Sequence, residues 1–80
     1  MRLYDVQYKT ATYRFRADDA MDAFEQFTHL RPFGKKMVSE YNLLHLDKDT
    51  GGYKWALYAA MCYGQWARIK VKISEMGING

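Results

Sequence analysis

Across residues 3–17 apolar side chains recur at every second place: Tyr4, Val6 and Tyr8, then Tyr13 and Phe15 after an interruption at residues 9–11. A period of two marks a strand with one buried face, so the segment predicts a hairpin. Thr12, Arg14 and Arg16 then fall on the other side of its second strand.

The period changes to that of a helix in "ADDAMDAFEQFTHLRPFG". Ala20, Ala23, Phe24, Phe27 and Leu30 form one apolar stripe. Asp18 or Asp19 caps the amino end, and Asp22 and Glu25 add negative charge where the helix dipole favours it. His29 and Arg31 lie near the carboxyl end, and Pro32 with Gly34 stops the helix.

"MVSEYNLLHLDKDTGGYKWALYAA" places the turn-rich "DKDTGG" between two apolar runs and predicts a second hairpin. Tyr53, Trp55, Leu57 and Ala59 share one face of the returning strand, with Lys54, Ala56 and Tyr58 on the other. A competing reading makes "YKWALYAAMCYG" a short helix ended by Gly64. Two glycines at its start, and no good cap beside its first residue, favour the hairpin.

In "QWARIKVKIS" the residues Ala67, Ile69, Val71 and Ile73 alternate with Trp66, Arg68, Lys70 and Lys72. A 4-3-4-3 spacing of Cys62, Trp66, Ile69, Ile73 and Met76 also suits a helix. β-Branched residues at every second place, and Gly64 ahead of them, decide for a strand. The expected fold class is α+β: one small domain over residues 1–80, ordered β-β-α-β-β-β, with an antiparallel sheet carrying one helix on one face and "EMGING" forming a loose tail over residues 76–80.

Composition then narrows the functional classes. The chain is 49% hydrophobic, with seven Tyr, four Phe and two Trp, so a core built of large rings is expected. Rings with polar tips suit boundaries, and some are expected at a contact surface such as a homodimer interface. A net charge of +3 is too small by itself to imply nucleic acid. The lone Cys62 rules out an intrachain disulfide, and neither an apolar leader nor a run of ~18 apolar residues is present. A reducing cytoplasm, without membrane insertion, is the expected setting.

Taking Tyr4, Val6, Tyr8, Tyr13, Phe15, Trp55, Leu57, Ile69, Val71 and Ile73 as inward-facing gathers Arg14, Arg16, Lys54, Tyr58, Trp66, Arg68, Lys70 and Lys72 on the far side, with Asp5 and Gln7. Arg68, Lys70 and Lys72 then make a cationic row at ~7 Å spacing, headed by Trp66. Lysines on the wet side of a strand also serve simply to discourage sheet-to-sheet aggregation. Cations beside an exposed ring suit single-stranded nucleic acid, and Trp, Tyr and Arg equally anchor protein contacts.

Other chemistry finds little support. "DKDTGG" sets Asp47, Asp49 and Gly52 at calcium-loop offsets, but the twelfth position is Tyr58 instead of Glu, and a hairpin turn explains it better. Asp49-Thr50-Gly51 matches the aspartic-protease triplet without its hydrophobic context. His29, His45 and Cys62 match no metal spacing, and neither a phosphate loop nor a nucleophile elbow occurs. The helix acids Asp18, Asp19, Asp22 and Glu25 are explained by the dipole, or else offer an acidic patch to a basic partner. No catalytic residue, cofactor or metal is therefore assigned.

The expected function is a non-enzymatic binding protein that occupies a surface of a protein or nucleoprotein partner. Tyr58, Trp66, Arg68, Lys70, Lys72, Arg14 and Arg16 form the contact face. Short chains of this format are common among phage and mobile-element products that inhibit or redirect a host factor. The alternative is a nucleic-acid module using the same basic, Trp-bearing face.

Overall fold

The computed structural model describes residues 2–49 and 52–74, and for residues 48, 49, 52 and 53 the backbone alone. Residues 50–51, within the expected turn, and residues 76–80, the expected tail, lie outside the described residues. Along the chain run β1 (Arg2–Tyr8), β2 (Ala11–Ala17), α1 (Ala20–Thr28), β3 (Val38–Asp49), β4 (Gly52–Cys62) and β5 (Gln65–Ile73). The strands form one antiparallel sheet in the order β2-β1-β5-β4-β3, with one helix on one face, so the domain is a small, sheet-rich α+β unit. The segment open to either a strand or a helix reading, residues 53–63, is β4 followed by the first residue of a turn.

The first hairpin follows its alternation. Tyr4 faces Phe15 and Val6 faces Tyr13 across the ladder, all on the helix side of the sheet. Its turn is tighter than residues 9–11, holding only Lys9 and Thr10, with Lys9 at φ 54°. The chain then returns to β1 at its far end. β5 pairs with β1, setting Tyr4 opposite Ile73 and Val6 opposite Val71, and the Ser74 N–H donates to Leu3 O at 2.9 Å. This closure makes β1 an interior strand and leaves β2 and β3 as the edges.

Asp19 is the helix cap. Its carboxylate accepts from the Asp22 N–H at 2.8 Å, while the Asp22 carboxylate accepts from the Asp18 N–H at 3.1 Å. Two amides near the helix start are satisfied reciprocally, which fixes where it begins. Ala20, Ala23, Phe24 and Phe27 are buried as their spacing predicts, and the helix ends at His29. Gln26 ties it to the first hairpin by donating to Arg16 O at 2.8 Å.

Beneath the helix the core consists of Tyr4, Val6, Ala56, Tyr58, Ala60, Ile69 and Val71. Phe27 meets Tyr13 edge-on at 5.3 Å, and Phe24 stacks on Tyr58 at 3.6 Å. Burying each phenylalanine contributes up to about 3 kcal/mol. Met37, deep in the loop after the helix, is held by two main-chain bonds: its N–H donates to Leu30 O and its carbonyl accepts from the Tyr63 N–H.

This packing corrects one face assignment. Ala56, Tyr58, Ala60 and Cys62 are the buried set of β4, so Trp55, Leu57 and Ala59 point away from the helix. The reason is local geometry. Alanines at 56 and 60 leave room for the rings of α1, which a strand side of Trp and Leu would not.

Candidate interaction face

The helix covers one side of the sheet. On the other side β5 behaves as its alternation predicts: Ile69 and Val71 are buried, while Trp66, Arg68, Lys70 and Lys72 are exposed. The two-residue turn at Tyr63 and Gly64 locks β4 against this strand in strict register. Met61 therefore lies opposite Trp66, Ala59 opposite Arg68, Leu57 opposite Lys70, and Trp55 opposite Lys72. A half-buried apolar row runs directly beside the cationic row. Neither Met61 nor Ala59 is among the residues the sequence assigned to this face.

On the β1 side, Asp5 lies opposite Lys72 and Gln7 opposite Lys70. Arg14, across from Asp5 on β2, donates through Nε at 2.7 Å and through Nη2 at 3.4 Å to the two carboxylate oxygens. The hydrogen bond and the charge of Asp5 raise the Arg14 pKa above its ordinary value. Arg14 thus neutralises the acid at the centre of the face. Among the described residues Arg16, Arg68, Lys70 and Lys72 meet no carboxylate at ion-pairing distance.

Two rings complete the face. Trp55 stacks on His45 of β3 at 4.8 Å, and Lys70 Nζ stands 5.6 Å from the centre of its ring. Trp66 is 52% exposed and borders a shallow hollow of about 360 Å³, lined also by Leu44, Ala59 and Arg68. A cation over the indole of Trp55 at one end of the β4–β5 pair, and the open indole of Trp66 at the other, give the face both charge and stacking area.

Tyr58 does not belong here, contrary to the sequence expectation. It is 3% exposed, beneath the helix on the opposite side of the sheet. Burial, then the neighbouring Tyr41 and Asp19, push its phenol up to about 12. Lys54 shares the Tyr58 side of β4 by alternation and leaves the cationic face with it. The face therefore brings together Trp66, Arg68, Lys70, Lys72, Arg14 and Arg16, and adds Trp55, Leu57, Met61 and His45.

Reactive groups elsewhere are sparse. Among the described residues no three of His, Cys, Asp and Glu converge as metal ligands. Burial pushes the Cys62 thiol up, with Lys9 opposing, so the thiol is held in its neutral form. No helix among the described residues is long and apolar enough to cross a membrane. Among protein families, curated proteins and solved structures, none matches the chain.

Proposed function

We propose that this chain is a non-enzymatic binding domain whose open sheet face seats on an acidic surface of a protein or nucleoprotein partner. The observation that carries this reading is the apolar row of β4 lying in register against the cationic row of β5. Protein interfaces combine an apolar centre with a polar rim, and Trp and Arg are their favoured anchors. Here Trp66, Met61 and Leu57 supply the centre, and Arg68, Lys70, Lys72 and Arg16 the charge. Occupancy alone is the mode of action: the partner is blocked or redirected.

The experiment is affinity capture from source-cell lysate with the wild type beside a Trp66→Ala, Lys70→Glu double variant. Both positions are exposed, so the fold survives the change. The expected result is a partner recovered by the wild type alone. Equal recovery by both proteins overturns the assignment of this face.

A second reading has its own support in the exposure of Trp66 at the head of three cations. Single-stranded nucleic acid meets such a surface by stacking bases on the ring and phosphates on the charges. The logarithm of the affinity for oligodeoxythymidine then falls linearly with the logarithm of salt concentration, with a slope set by the phosphates contacted. A flat response, or no binding at low salt, removes this reading and leaves the first.

A further inference from the structure

The two edges of the sheet differ in how they are protected. β2 places Arg14 and Arg16 along its edge, whereas β3 has no charged residue from Tyr41 to Leu46. Lysine, arginine and proline are the usual guards of a free edge, because its unpaired N–H and C=O groups template further pairing. β3 is also where exposed apolar side chains concentrate: Tyr41 is 49% exposed, Leu43 43% and Leu44 49%. Register shifts at Val38/Glu40 and Leu43/His45 bound an unbroken ladder against β4, from Glu40 to Leu43. That stretch is a short, regular edge that opens on Glu40 and carries no lysine, arginine or proline.

Directly above it, between α1 and the helix side of β3, lies a groove of about 370 Å³. Tyr41, Leu43 and Tyr58 make its apolar side, and Asp19, Asp22 and Glu25 its rim. The capping role of Asp19 and Asp22 accounts for those two acids within the fold, but leaves their charge uncompensated. Tyr58 points to an occupant independently of the acids. It is 3% exposed, and its hydroxyl finds no hydrogen-bond partner among the described residues, yet it reaches this groove beside Asp19 and Tyr41. Its oxygen is not sealed from solvent, so a polar ligand group entering the groove can pair with it.

We propose that an extended, Lys- or Arg-bearing polypeptide segment adds to Glu40–Leu43 as a sixth strand. Its main chain takes up the free edge groups at the usual ~4.8 Å strand spacing. Every second side chain then stands on the helix side, next to Tyr41 and Leu43. A long cationic side chain there reaches over the groove to the Asp19 and Glu25 carboxylates and offers N–H to the Tyr58 hydroxyl. Charge selects this occupant over a second copy of the chain. A symmetric β3–β3 pair puts the two acidic rims on the same side of the joined sheet and facing each other.

The test uses the intact chain and two hexapeptides, one alternating Lys and Val, the other alternating Glu and Val. Binding is followed by calorimetry and by amide shifts and exchange in NMR. The Lys peptide is expected to bind saturably, to shift and protect the amides of Tyr41, Asn42 and Leu43, and to weaken with salt. The Glu peptide is expected not to bind. An Asp19→Asn, Glu25→Gln variant keeps the helix cap, because Asn caps as well as Asp, and is expected to lose at least tenfold in affinity. Equal binding of both peptides, unchanged affinity in the variant, no binding at millimolar peptide, or shifts confined to Arg68, Lys70 and Lys72 each overturn the proposal. A peptide-free dimer with protected β3 amides overturns it in favour of self-association.

Discussion

Tyr58 of β4 lies flat against Phe24 of α1, ring centroids 3.6 Å apart and planes within 5° of parallel. This stack joins helix to sheet and decides which side of β4 is inside. Tyr41 closes on both rings from β3, at 5.0 Å from Phe24 and 5.9 Å from Tyr58. Truncating Phe24→Ala is expected to cost about 3–5 kcal/mol. That is a large part of the total for a domain of this size, roughly 4–12 kcal/mol at ~0.05–0.15 per residue. Tyr58→Phe keeps the stack and is expected to change stability by less than about 1 kcal/mol. Urea denaturation separates the two, and equal losses contradict the stacking role.

The same burial gives Tyr58 a signature at high pH. Its phenol titrates at about 12 when folded, against an ordinary value near 10. Below pH 10 both states are protonated and the shift contributes nothing. Between pH 10 and 12 the unfolded chain releases the proton first, so stability falls as pH rises through this window. Stability measured across it is expected to fall more steeply in the wild type than in Tyr58→Phe. Parallel slopes contradict the account.

The turn between β4 and β5 sets the face-to-face register, and both its residues have positive φ: Tyr63 at 51° and Gly64 at 81°. A Cβ added at Gly64 meets nothing within 4 Å, so the cost of Gly64→Ala is backbone strain alone. It is expected to be about 1–2 kcal/mol. Tyr63→Asn relieves the same strain at the first position, where Asn is a favoured turn residue, and is expected to raise the melting temperature. A neutral Gly64→Ala shows that this turn does not hold the register.

Cys62 is 1% exposed, and burial raises its pKa. Modification by a disulfide reagent at neutral pH is expected to be slow in the folded protein and fast in urea, because the thiolate is the attacking species. A native rate equal to that of free cysteine contradicts the burial of β4 beneath the loop that carries Met37.

Much of the fold was legible because its alternation was one-sided. On β5 from Trp66 onward every even residue is large and polar or a Trp, and every odd one is aliphatic, so the inner and outer faces could be read directly. On β4 both sides are apolar: Ala56, Tyr58, Ala60 and Cys62 against Trp55, Leu57, Ala59 and Met61. Side-chain size favoured the wrong side, since the small alanines are the ones that admit the helix rings. A better signal lay in the turn. Two residues at 63 and 64 place an odd residue of β4 opposite an even residue of β5, so outward Trp66 and Lys70 require outward Met61 and Leu57. The groove over β3 was not legible at all. It depends on how far the helix extends across the sheet, which no periodicity encodes.

Radical footprinting of the captured complex tests the open face most directly, because Trp and Met are readily oxidised and both occur on it. The expected result is a several-fold slower oxidation of Trp66 and Met61 in the complex than in the free chain, with Phe33, 82% exposed in the loop after the helix, unchanged. Equal oxidation of Trp66 in the free and bound states contradicts the assignment of this face to the partner.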